Sequence, residues 1–252
     1  MPEPSLDERL RLRQRPPGWP AGYQEWRRLL FVHWPVPPWA LRRLVPPPLS
    51  LDLHDGAAYV SLTPFIVQAA RPIATTRRLG LSFLETNVRT YVHLEGREPG
   101  VYFFSLDAAS AIAVLGARLG LGLPYFLARG RLRGSDYRIR RLGKARATCH
   151  AVYTPGPPIG YAQPGSLDFF LIERYVLHVR RGPSLWSVRV HHRPYPLQHV
   201  QLGRLTESLV AADGLPPPGT RPLAHFSPGV DVAIFPPRVR SVRRGRSWMA
   251  SG

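Results

Sequence analysis

Proline and glycine set the strictest limit on this chain: 29 and 22 of them punctuate its 252 residues, with no single linker collecting them. Proline removes a backbone donor and fixes φ, and glycine opens positive φ, so both interrupt long regular helices. What lies between them is read as short elements joined by tight turns, the texture of a β-rich fold. With 44% hydrophobic residues, a chain of this length can bury a sizeable core and enclose a ligand cavity.

The clearest strand is FLETNVRTYVHL (83–94). Alternation puts Leu84, Thr86, Val88, Thr90, Val92 and Leu94 on one face, a core-like row, and Phe83, Glu85, Asn87, Arg89, Tyr91 and His93 on the other. A turn at 95–100 leads into VYFFSLD (101–107), which predicts an antiparallel hairpin. LLFVHWPV (29–36), LWSVRVHH (185–192) and DVAIF (231–235) read as further strands, and 49–68 as two strands folded about His54-Asp55-Gly56. The stretch 129–154 reads as two or three strands with turns at Gly134-Ser135 and Gly143-Lys144. Helices are expected at 5–15, after Pro37, over AIAVLGARL with Asp107 or Ser110 as cap, over 166–179 with Ser166 as cap, and briefly within 206–214. The fold class is α+β, mainly antiparallel β, with a helical extension at 1–25, one domain at 26–237 and a basic, disorder-prone tail at 238–252.

The formal charge is +18, and of the 34 basic residues only Lys144 is a lysine. A GC-rich coding sequence produces that imbalance by itself, so part of the basicity reports the genome. The remaining field draws carboxylates or phosphates and permits non-specific nucleic-acid association. The basic clusters lack the aromatic signature of an RNA-recognition module. Cys149 stands alone, which excludes an intramolecular disulfide. The N-terminal residues lack the pattern of a secretory signal, and the longest apolar stretch, 111–128, is broken by Arg118. A cytoplasmic protein without membrane partners is expected.

GARLGLGLPYFLAR (116–129) is the most ambiguous segment. A phosphate cradle needs its glycines before a helix N-terminus, whereas these close a helix at its negative C-terminal end. The segment is therefore either core or the wall of a pocket. No Walker lysine, dinucleotide fingerprint, GxSxG elbow, HxH or HExxH is present. His191 and His192 diverge along a strand, so a metal site is not expected, nor is any cofactor.

FVHWPVPPWALRRLVPPPL, ETNVRTYV, GVYFFSLD, GLPYFLA, FLIERYVL and VHHRPYPLQ occur in that order between about Trp26 and Phe235. This ordered set resembles the YqjF-like family of bacterial proteins of unknown function, which is in turn similar to the acetoacetate decarboxylase superfamily. The resemblance implies a β-barrel or sandwich with a central cavity and peripheral helices, and leaves self-assembly into homo-oligomers open. Acetoacetate decarboxylases carry two lysines after a short helix, one of them forming a Schiff base with the keto acid. Matching their motif to GLPYFLA puts Tyr125 and Phe126 in those places, so the carbonyl-trapping amine is missing. Lys144 is the one residue that could substitute for it.

These readings give a candidate site. Glu85 is expected as acid or base, Tyr125 as a hydrogen-bond donor and Arg89 as a carboxylate anchor, with Asn87, Tyr91, His33 and Phe126 as further ligand contacts. The Glu85 row has a solvated-face alternative, His33 a structural one, and Tyr125 and Phe126 a core one. Glu173 and Arg174 read by default as packing plus a surface ion pair, with a place at the pocket rim as the alternative. The expected partner is a small organic acid, bound by a cofactor-independent enzyme or by a ligand-binding or sensory module without turnover; nucleic-acid association is the third class.

Overall fold

The computed structural model describes residues 2–143 and 145–241, so Lys144 and the greater part of the basic tail lie outside the described residues. The chain opens with helix α1 (Leu6–Arg13), strand β1 (Gly22–Val36), the short helix α2 (Pro38–Arg42) and strands β2 (Ser50–Leu51), β3 (Ala58–Pro72), β4 (Leu81–Leu94) and β5 (Arg97–Ala108). Helix α3 (Ala111–Leu121) follows, then β6 (Tyr125–Arg133), β7 (Asp136–Arg141), β8 (Thr148–Gly160) and helix α4 (Leu167–Ile172). The last elements are β9 (Val176–Arg181), β10 (Ser184–His191), β11 (Leu197–Glu207), helix α5 (Leu209–Ala212), β12 (Leu223–Ile234) and β13 (Arg238–Ser241).

All of these strands join one sheet, and among the described residues the parallel pairings are those of β5 with β6 and with β9. Its linear order runs β13-β10-β9-β5-β6-β7-β8-β11-β12-β1-β3-β4-β2, and two extra pairings, β4 with β5 and β10 with β12, close it on itself. One closed circuit runs through β1, β3, β4, β5, β9, β10 and β12. The other shares β12, β1, β3, β4 and β5 and returns through β6, β7, β8 and β11. Each circuit encloses its own core. Strands β1, β3 and β4 send Leu29, Phe31, Phe65 and Tyr91 into the first and Leu30, Val32, Leu62 and Val88 into the second.

The shared wall explains why every residue of β4 from Glu85 to Leu94 is buried. Alternation separates its faces correctly, but each faces a core; the solvated alternative for the Glu85 row fails on this burial. A bulge in β1, with Arg28 at φ 55°, changes the parity of that strand. Trp26 and Leu29 therefore face the same side.

The hairpin of β4 and β5 turns at Glu95-Gly96, both at positive φ, and β6, β7 and β8 lie where the sequence placed strands. Ser110, not Asp107, caps α3, accepting the Ala113 N–H, and Gly122 closes that helix at φ 69°. Asp107 instead grips Arg141. Other expectations need correction. The helix expected over 166–179 ends at Ile172, and 176–181 form a strand held between β10 and β5. Around Asp55-Gly56 a tight turn forms as expected, yet β2 pairs with β4 rather than with β3. Strand β1 begins at Gly22 and β12 at Leu223, both well before the predicted starts, and β11 was not anticipated. Of the basic tail, Arg238–Ser241 pair with β10.

Helix α1 packs against the sheet. Leu12 is buried with Tyr175 and Val176, and the Arg189 guanidinium donates to the Leu12 and Gln14 carbonyls. No described helix is long and apolar enough to cross a membrane.

Candidate functional site

Inside the first circuit, under α3, lies a cavity of about 120 Å³. Strand β4 contributes Glu85, Asn87 and Arg89, spaced by two so that all three face it. Thr63 comes from the neighbouring β3, and Tyr125 opens β6 directly after the glycine cap of α3. The Arg118 side chain, in the last full turn of α3, donates to the Tyr125 carbonyl at 2.7 Å and fixes that entry. Arg174 enters from the turn after α4. Apolar residues, among them Trp26, Phe65, Phe103 and Leu123, complete the wall.

The polar groups divide into two poles. At one, the Tyr125 hydroxyl donates to Glu85 Oε2 at 2.8 Å. Burial pushes the Glu85 carboxyl up to about 8, against the lowering effect of that hydrogen bond, and the nearby Asp107 charge adds to the rise. Glu85 is therefore mainly the neutral acid at pH 7. The Tyr125 phenol is raised well above its ordinary range, first by burial and then by Glu85.

The other pole is cationic. Arg89 is 8% exposed; its Nε and Nη2 have no hydrogen-bond partner and, among the described residues, no carboxylate lies within ion-pair distance. Arg174 donates through Nε to the Phe170 carbonyl at 2.7 Å and through Nη1 to Asp52 at 2.6 Å, while Nη2 is left unpartnered. Thr63 Oγ1 and Asn87 Oδ1, between the poles, are also buried without partners. Buried polar atoms are normally satisfied, and five that lack a protein partner line this one small cavity.

The remaining candidates stand elsewhere. His33 and Tyr91 are fully buried behind the cavity wall: His33 Nδ1 lies 2.6 Å from Ser61 Oγ, and the Tyr91 hydroxyl donates to the Leu171 carbonyl at 2.8 Å. Burial first, then Arg89 and His225, holds the His33 ring well below its ordinary pKa and neutral. Phe126 points away from the cavity and packs under the Arg141 guanidinium, 4.1 Å from the ring centre. Neighbours on a strand face opposite sides, so Tyr125 and Phe126 could not both line one cavity. Glu173 and Arg174 are buried and do not pair with each other; Glu173 accepts the Tyr195 N–H at 3.0 Å and the Tyr175 hydroxyl. Thr63 was not among the expected ligand contacts, whereas Arg174 lines the cavity, in keeping with the pocket-rim alternative to a surface ion pair. The FLIERYVL motif was the available signal for Arg174. Among the described residues no three metal-ligating side chains converge.

Comparison with known proteins fits this arrangement. The family model for domain of unknown function 2071, described as an uncharacterized conserved protein, matches residues 23–231. The chain belongs to this family. A relative from Bacillus subtilis, "Uncharacterized protein YqjF", is 39% identical over 223 residues, spanning 85% of this chain and 90% of the relative. Among solved structures, the enduracididine biosynthesis enzyme MppR complexed with pyruvate matches with a TM-score of 0.58 at 15% identity, over 90% of this chain and 93% of that one. Acetoacetate decarboxylase from Legionella pneumophila matches with a TM-score of 0.58 at 14% identity, over 90% and 92%. At such identities the likeness establishes a common fold, the acetoacetate decarboxylase-like one.

Proposed function

We propose that this DUF2071 protein binds a small organic acid in the barrel-like first circuit, with the ligand carboxylate on Arg89 and its other end at Glu85 and Tyr125. The observation that carries the reading is the buried, unpaired Arg89 guanidinium. An isolated buried cation is costly, and a carboxylate offers two oxygens in the geometry its free N–H groups require. The cavity volume of about 120 Å³ is somewhat below the roughly 150 Å³ cavity that accepts benzene, which limits the guest to no more than about benzene's six non-hydrogen atoms, the size of pyruvate. That a protein of the same fold is known in complex with pyruvate is consistent with a guest of this class.

Glu85 supplies the chemistry that goes beyond binding. As a neutral acid hydrogen-bonded by Tyr125, it can donate a proton to a ligand carbonyl or hydroxyl and, once ionised, take one back. Among the described residues the cavity lining offers no amine, and the chain's single lysine, Lys144, lies outside the described residues. The reading is acid-base chemistry rather than Schiff-base decarboxylation, since no described residue of the lining supplies the amine.

The test is calorimetric titration of pyruvate into the wild-type protein and Arg89→Met. The wild type should bind. The variant should lose affinity by about a hundredfold or more, because a buried charged partner is removed. It should also unfold at a higher temperature, since an unpaired buried cation has been replaced by an apolar chain. Equal affinity in the two proteins, or a less stable variant, would overturn the reading.

A further inference from the structure

The charges around the cavity do not balance, and the imbalance bears on which acid fits. Asp52 is buried beneath Arg174 and takes Nη1 on its Oδ2 at 2.6 Å. The same carboxylate is also gripped by Arg9 of α1, whose Nη1 and Nη2 reach Oδ2 and Oδ1 at 2.7 Å each. One negative charge thus serves two guanidinium groups, and the Arg9, Asp52 and Arg174 cluster keeps one net positive charge. Arg89 adds a second with no counterion. Both cavity arginines bear on Tyr91: the Arg174 guanidinium lies 4.9 Å from its ring centre, and Arg89 acts on its hydroxyl. The two positive charges therefore flank one side chain, Tyr91, at the same pole. Glu85 does not offset them, being neutral near pH 7 and at the other pole.

We infer that the preferred guest is a compact dianion, a short dicarboxylate with its two charged groups directly bonded, and that Arg9 sets this preference from outside the cavity. Arg9 does so by occupying Asp52. Without it the carboxylate serves Arg174 alone, and only Arg89 is left uncompensated. This inference rests on the organic-acid reading above and narrows it to a charge class. Oxalate, with six non-hydrogen atoms, meets the size limit of about six.

The experiment compares oxalate with oxamate, its half-amide of the same shape and one charge fewer, at constant ionic strength near pH 7. Titrations use the full-length wild type, Arg9→Met and Arg174→Met. Wild type should bind oxalate about tenfold or more tightly than oxamate, the scale expected for one further charge facing a partly buried cation. Both variants should bring the ratio toward one while retaining oxamate, which Arg89 still holds. Arg9→Met keeps the buried Asp52 and Arg174 pair intact, so it remains informative should Arg174→Met fold poorly. A wild-type ratio near one, with both compounds bound, overturns the dianion inference and leaves the organic-acid reading standing. A high ratio unchanged in Arg9→Met also overturns it. Binding of neither compound, nor of pyruvate, removes both.

Discussion

Replacing Glu85 by glutamine tests whether this carboxyl is held as the neutral acid. Its pKa moves from an ordinary value of 4.5 to about 8 on folding, chiefly because the group is buried. Between these values the native protein retains a proton that the unfolded chain has released. Stability must then fall as pH rises, by about 1.4 kcal/mol for each pH unit. This contribution is fully present below pH 4.5 and exhausted above pH 8. From pH 5 to pH 8 the loss amounts to roughly 3–4 kcal/mol. Glutamine has the shape of the protonated acid and still accepts from the Tyr125 hydroxyl, but it does not titrate. Urea unfolding followed by tryptophan fluorescence at pH 5, 6, 7 and 8 gives the difference between Glu85→Gln and wild type. Glu173, Glu207, Asp107 and Asp213, wholly or partly withdrawn from water, are also raised on folding and slope in the same sense, but they are common to both proteins and largely cancel. The variant should gain on the wild type by roughly 3–4 kcal/mol over this range. A constant difference would show that Glu85 is ionised in the native state and would remove its role as proton donor.

Two further outcomes follow from groups outside the cavity. Arg141 is 2% exposed and bridges Asp107 and Asp213 at 2.8 and 3.0 Å, so Arg141→Met leaves two buried carboxylates without their cation and should cost about 3–5 kcal/mol in urea unfolding at pH 7. Cys149 is buried and its thiol is pushed far above the ordinary range, so a thiol reagent at pH 8 should modify the urea-unfolded protein at once and leave the folded protein unlabelled for hours.

Local rules exposed some of this architecture in the sequence and hid the rest for identifiable reasons. The period of two brings Glu85, Asn87 and Arg89 to one face, and the Ser110 cap and Gly122 terminator bracket α3, because each depends on neighbouring residues alone. Strand β9 failed because FLIERYVL has helical spacing, while its second half is captured by pairing with β10 through the Gly182 turn and with the distant β5. Tertiary context overrides local propensity there. The burial of both faces of β4 was equally hidden, since alternation separates the faces without saying how many cores adjoin them. Arg174 reads as a surface charge until the chain brings up Asp52, which is 122 residues away. Phe126 enters the candidate site through the motif resemblance and His33 through its place in a strand; the positions of Ser61 and Arg141, known only from the fold, take them out of contact with the cavity.

The most direct measurement is a crystal structure of the protein grown with a small carboxylate such as pyruvate. The account predicts the carboxylate inside the circuit, with an oxygen about 2.7–3.1 Å from Arg89 Nε or Nη2 and the opposite end of the molecule toward Glu85. A cavity filled by protein side chains, or pyruvate bound only to arginines of the outer surface while Arg89 remains unpaired, would contradict it.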